Sequence, residues 1–138
     1  MKIKILLLLC IATLGLASCK KETYVQETKA RTYNLKIRAS DWKTTDNGET
    51  YSYTWNTSAI DQITFDDEAV VVYIAHPDNP NLDIAIPSVY NSISYTYRVF
   101  NGGLIFNIQS SDNQDTKVPA PTVDIPVKVV IIPSVYGG

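Results

Sequence analysis

The residue types that carry chemistry are sparse in this sequence. Its one histidine, His76, stands between the apolar run Ala69 to Ala75 and the proline loop Pro77-Asp78-Asn79-Pro80. A Ser-His-Asp arrangement would have to be built on that imidazole. No serine has the Gly-x-Ser-x-Gly setting of a nucleophile, and no glycine-rich phosphate loop is present. His76 therefore reads as a loop residue closing the end of a strand. A single histidine also falls short of a zinc site. Three acidic clusters, Asp46/Glu49, Asp66/Asp67/Glu68 and Asp112/Asp115, offer hard oxygen atoms that could hold Ca²⁺. None follows the Asp-x-Asp-x-Asp-Gly pattern, and solvated loop charge accounts for them. A glycosidase needs two carboxylates facing each other across a cleft, and a small β domain offers little room for one. The expectation is a chain that is not an enzyme and holds neither cofactor nor metal.

The aromatic side chains are the other candidates, since the chain has 9 Tyr, 2 Trp and 3 Phe and aromatic rings stack on sugars. Parity decides which rings are free. Tyr51, Tyr53 and Trp55 alternate with Ser52, Thr54 and Asn56, and Tyr95 and Tyr97 alternate with Ser94 and Thr96. A sheet buries one face, and burying a large aromatic gains roughly 2–3 kcal/mol, so these rings are expected inside. Trp42, Tyr90, Phe100 and Tyr136 fall out of parity or in loops. They are the candidate binding residues, with Tyr90 and Tyr136 the favoured pair. That pair ends an internal echo, Ile86-Pro87-Ser88-Val89-Tyr90 and Ile132-Pro133-Ser134-Val135-Tyr136. The flanking residues do not match, so the echo reads as two strands stopped alike by proline.

The elements that must position these residues are strands. Tyr33, Leu35, Ile37 and Ala39 alternate with polar neighbours, the period-2 mark of a half-buried strand. Trp42 breaks the parity and predicts a bulge near Ser40-Asp41. Asp46-Asn47-Gly48 and Asn101-Gly102 are turn signals. Ala69 to Ala75 is a continuous β-branched run, suited to a strand buried on both faces. Leu82, Ile84 and Ile86 alternate, as do Ile93 to Val99 and Leu104, Phe106 and Ile108, and Val127 to Ile132 forms a last apolar strand. Ser58 and Asp61 stand at capping-box spacing, but the segment is too short for more than a turn. Val118 to Pro126 carries three prolines and reads as irregular or edge chain. Seven strands with turns between them predict an all-β domain, a single antiparallel β-sandwich that is immunoglobulin-like in strand count and size; a small β-barrel is the alternative.

Ahead of the domain, Lys2 and Lys4 precede an apolar run from Ile5 to Leu16, which is followed by Ala17, Ser18 and Cys19. Charged start, short apolar core and small-residue site make a secretory signal, too short for a span of about 20 residues. Leu16-Ala17-Ser18-Cys19 resembles the lipobox of bacterial lipoproteins. That resemblance implies cleavage before Cys19, acylation of its thiol and amino group with palmitate-type chains, and membrane attachment through Cys19. It divides the chain into a signal peptide (1–18), a lipidated Cys with its tether (19–31) and the sandwich domain (32–138).

Lys20 stands where the family's inner-membrane retention signal has Asp, which implies the outer membrane. Lys20-Lys21-Glu22 also loosely resembles the tag of surface-exported lipoproteins of the Bacteroidota, so the periplasmic and cell-surface faces both stay open. The Trp42-bearing first strand, Ile63-Thr64 before a valine-rich strand ending in Tyr73, the Tyr95/Tyr97 strand and the Val130-Ile131-Ile132-Pro133 end resemble small β-rich lipoproteins of the same phylum. Such patterns carry fold and not chemistry.

Removing Lys2 and Lys4 with the signal leaves 10 basic against 14 acidic side chains, a formal charge of −4 that gives no footprint for nucleic acid. Cys19 is then the only cysteine, so no intrachain disulfide forms. Two functions fit. The first is a non-catalytic, lipid-anchored envelope or cell-surface protein acting through protein contacts, with an exposed edge strand as one route. The alternative is a carbohydrate-binding accessory protein in glycan capture.

Overall fold

A computed structural model describes residues 29–112 and 114–134. Eight strands form: β1 (Arg31–Ile37), β2 (Thr50–Asn56), β3 (Ala69–His76), β4 (Asn79–Ile86), β5 (Ser88–Tyr90), β6 (Ile93–Phe100), β7 (Gly103–Ser110) and β8 (Ile125–Ile132). One short helix, α1 (Gln62–Asp67), precedes β3. The strands make two separate antiparallel sheets, β1-β8-β3-β4 (sheet A) and β2-β7-β6-β5 (sheet B). The domain is thus an all-β sandwich and not a barrel. Its likeness to an immunoglobulin domain stops at size and approximate strand count. There the first two strands share a sheet, whereas here β1 lies beside the last strand.

The parity reading holds on the inner faces. Ile37, Val72, Ile74, Ile86, Leu104, Phe106, Val127, Val129 and Ile131 are buried between the sheets, with Tyr53, Trp55, Tyr95 and Tyr97 packed against them. Tyr53 lies 6.1 Å from Phe106 between ring centroids. The Tyr97 hydroxyl donates to the Val70 carbonyl at 2.6 Å and so ties sheet B to sheet A. Burial pushes that phenol's pKa up.

Five local readings change. No bulge forms at Ser40-Asp41; a 3-10 turn, Ala39–Asp41, swings Trp42 back over the core instead. The eighth strand is β5, three residues that pair with β6 through the turn Asn91-Ser92, both at positive φ (47° and 60°). The loop expected at 76–80 shrinks to the turn Pro77-Asp78, because β4 already begins at Asn79. Leu82 is 54% exposed and takes no part in the core, unlike Ile84 and Ile86. The short helix keeps Asp61 as its cap, accepting from the Thr64 N–H at 2.9 Å, and Ser58 plays no part in it.

The sandwich has two unlike ends. At the end where the chain enters, Arg31 pairs with Glu68 at 2.6 Å, and the Gly102 N–H donates to the Ile60 carbonyl at 2.7 Å. At the far end, the Ala39 N–H donates to Asp124 at 3.1 Å and the Val118 N–H to the Gly48 carbonyl at 2.9 Å. Strands of seven or eight residues, about 3.4 Å per residue, put these ends roughly 20–25 Å apart.

Candidate functional site

Of the four candidate aromatics, the three that are described, Trp42, Tyr90 and Phe100, are not brought together. Trp42 is half-buried, tilted over Tyr53 at 6.4 Å, and its indole N–H meets no acceptor among the described residues. Phe100 stands directly opposite Gly103, with its ring close over that glycine. A Cβ on Gly103 would come within 2.1 Å of the Trp55 carbonyl oxygen, so the ring fills room that no side chain on residue 103 can occupy. Tyr90 ends β5 at the far end of β6, while Phe100 ends β6 at the end of the sandwich where β1 begins. Seven residue steps of strand separate those ends, about 23 Å. Tyr136, like Cys19, lies outside the described residues.

Tyr90 sits on a strand and not on a loop, and its half-buried ring meets the histidine. His76 and Tyr90 meet edge to face at 4.6 Å. The Tyr90 hydroxyl donates to Asp78, which holds its phenol above the ordinary value of 10.0. The Asp78 N–H donates to His76 Nδ1 at 3.2 Å, leaving the other ring nitrogen to carry the proton. These bonds fasten the Pro77-Asp78 turn to β5. Beside them opens a mouth of about 430 Å³ between the sheets, walled by His76, Ile93 and Tyr95 and roofed by Pro119 to Pro126. Burial, and then the nearby Asp78 charge, raises the Tyr95 phenol.

The acidic clusters are used internally. Asp46 accepts from the Thr44 hydroxyl at 2.9 Å and the Thr50 N–H at 2.8 Å; the backbone bond holds its carboxyl below the ordinary 3.8. Asp112 accepts from Thr116 and the Gln114 N–H, and the Thr116 hydroxyl is the main cause of its lowered pKa. Glu68 takes Arg31 and the Thr64 hydroxyl. Among the described residues, no three His, Cys, Asp or Glu side chains converge as a metal ion requires.

The outer faces carry what the aromatics do not. On sheet A, register places Ala69 beside Ile132, Val71 beside Val130, and Tyr73 between Ala85 and Lys128. Val71, Tyr73 and Val130 are half-buried, and Ile132 is 43% exposed. Lys128 lies 4.9 Å over the Tyr73 ring and pairs with Asp83.

On sheet B the corresponding rows are Thr50-Gln109-Ser94, Ser52-Asn107-Thr96 and Thr54-Ile105-Arg98. A depression of about 420 Å³ lies over them, rimmed by the turn that carries Asp46. Parity sends Ser52, Thr54, Ser94 and Thr96 to solvent, and nothing local in the sequence marks these rows as a site. Only the pairing of β2, β7 and β6 assembles them.

No protein-family model matches this chain, and neither a curated protein nor a solved structure shows significant similarity to it.

Proposed function

We propose that this chain is a non-catalytic lipoprotein, held in the outer membrane through Cys19, that acts by docking another protein on the outer face of sheet A. The observation that supports this reading is the composition of that face. The outer face of an antiparallel sheet commonly meets water and is polar. Here Ala69, Val71, Tyr73, Ala85, Val130 and Ile132 make a contiguous apolar patch, a feature that marks interaction surfaces. The β-branched run of β3 calls for cover on both sides, and the domain itself supplies it on one. The patch lies on the tether half of the sheet, where Arg31 pairs with Ile131. Twelve residues of tether reach at most about 40 Å, so a partner on this patch also sits near the membrane.

Two experiments test the reading. Metabolic labelling with a fatty acid analogue should mark the wild-type chain and leave Cys19→Ala unlabelled. Cross-linking in intact cells should trap the wild type in a larger complex that Val71→Glu/Val130→Glu does not form, at unchanged abundance and melting temperature. Equal cross-linking of both would end the docking proposal. Label on Cys19→Ala would end the anchoring proposal.

A further inference from the structure

The outer face of sheet B carries a second feature, independent of the protein-docking reading: a polar depression. Its three rows of three positions hold eight polar side chains and one apolar one, Ile105. Strands about 4.8 Å apart, with same-face residues about 6.8 Å apart along each, fix those groups on a rigid lattice. At its centre Asn107 is only 7% exposed, although it points away from the core. Ser52 and Thr96 flank it, and the Asp46 turn rises at the rim of the depression.

The Asn107 side chain is half used. Its Oδ1 accepts from the Ser52 hydroxyl at 2.8 Å. Its Nδ2 donates to no described residue. Nor is that nitrogen sealed off, because the only enclosed side-chain N or O atom without a partner among the described residues is Trp42 Nε1. The amide N–H₂ therefore opens into the depression. Water can reach that donor in the free protein, and an acceptor on a ligand in the depression would replace it.

The ligand class follows by chemistry. An apolar ligand would strand the Asn107 amide, so it is excluded. Nucleic acid is disfavoured because Arg98 is the only cation lining the depression among the described residues. Asp46 sets a carboxylate against it on the rim, so the site carries no net charge and does not select an ion. A peptide strand adds to a sheet through its edge and not its face. What remains is a neutral ligand whose groups both donate and accept over an extended surface. Amide, guanidinium and hydroxyl groups match that need, since hydroxyls take either role. We infer that the outer face of sheet B binds a neutral oligosaccharide, with Asn107, Arg98, Gln109, Ser52 and Thr96 holding its hydroxyls. Trp42, Tyr90 and Phe100, expected to contribute to the platform, do not line it.

The test uses the full-length protein in non-sugar detergent, run through gels containing β-glucan, xylan or mannan, with alginate and heparin as acidic comparators. Retention by at least one neutral polysaccharide is expected. Arg98→Ala should weaken it by about tenfold or more, the loss of a charge-assisted hydrogen bond. Gln109→Ala, also exposed, should weaken it several-fold. Neither variant should change the melting temperature, and Val71→Glu on sheet A should leave retention intact. Retention by no neutral polysaccharide, retention by the acidic polymers alone, or retention untouched by both variants would overturn the inference. Equal cross-linking of wild type and Val71→Glu/Val130→Glu, with glycan retention intact, would count against the sheet A reading alone.

Discussion

The two sheets turn like faces inward and unlike faces outward. Inside, Val72, Ile74, Val129 and Ile131 from sheet A meet Leu104, Phe106 and Ile108 from sheet B, and both sets are buried. Outside, sheet A shows Val71, Tyr73, Val130 and Ile132, whereas sheet B shows Ser, Thr, Asn, Gln and Arg around one isoleucine. The core accounts for the inner faces completely. It places no demand on the outer ones, because neither is needed to exclude water from the other. Two outer faces of the same architecture, free of the same constraint, therefore differ for reasons outside the fold. That difference is where function is to be sought, in an apolar patch on the half of sheet A where β1 begins and a polar lattice on the opposite side.

The comparison can be broken from the inside first. Phe106→Ala should cost about 3–5 kcal/mol in urea unfolding, since this ring is 2% exposed and its removal leaves a cavity. A loss below 1 kcal/mol would mean that the inner faces are less alike than their burial implies. Tyr97→Phe probes the tie between the sheets. Losing the bond to the Val70 carbonyl should cost about 1 kcal/mol while leaving the packing in place.

Acid sharpens the contrast further. Asp46, Asp61 and Asp112 are held below the ordinary 3.8 chiefly by the Thr50 N–H, the Thr64 N–H and the Thr116 hydroxyl respectively. Because each pKa is lower folded than unfolded, its contribution is complete above the unfolded value and is lost as pH falls through the folded one. Stability should hold level down to about pH 4 on this account and decline below it. Asp46→Asn should decline less steeply, as read by melting temperature against pH. The smallest effect is expected on sheet A's outer face. Lys128→Met removes an exposed pair and a cation–π contact, together worth about 1 kcal/mol or less. A loss matching that of Phe106→Ala would mean the face is structural and not free for a partner.

Much of this was legible in the sequence. Strict alternation identifies β1, β2, β6 and β7, because a one-residue slip would send Tyr53 or Phe106 into water. The Asp46-Asn47-Gly48 turn was readable for a local reason, and Asn47 and Gly48 adopt φ of 58° and 91°. β5 was hidden because three residues cannot show a period, and Asn91-Ser92 lacks the glycine that announces a tight hairpin. The out-of-parity aromatics misled for a related reason. Parity tells when a ring leaves its strand's rhythm, but not whether the chain then folds it back, as the turn at Ala39–Asp41 does for Trp42. The sheet B lattice is a product of register. Ser52, Asn107 and Thr96 come from three separate stretches of sequence, and each alone reads as an ordinary solvent-facing residue.

The place of β8 between β1 and β3 has a consequence in time. Strands are synthesised in order, yet sheet A receives its middle only when residues 125–132 arrive. Until then β1 has no ladder to join, since all of its pairing, from Arg31 with Ile131 to Ile37 with Ile125, is with the last strand. Such non-local pairing closes slowly. If the chain is exported as proposed, this would be an advantage, because a polypeptide that cannot complete its first sheet would still be open on reaching the membrane. Once closed, the same ladder works in the other direction. The first strand and the last clamp each other, so neither terminus of the domain can peel away without unzipping its counterpart.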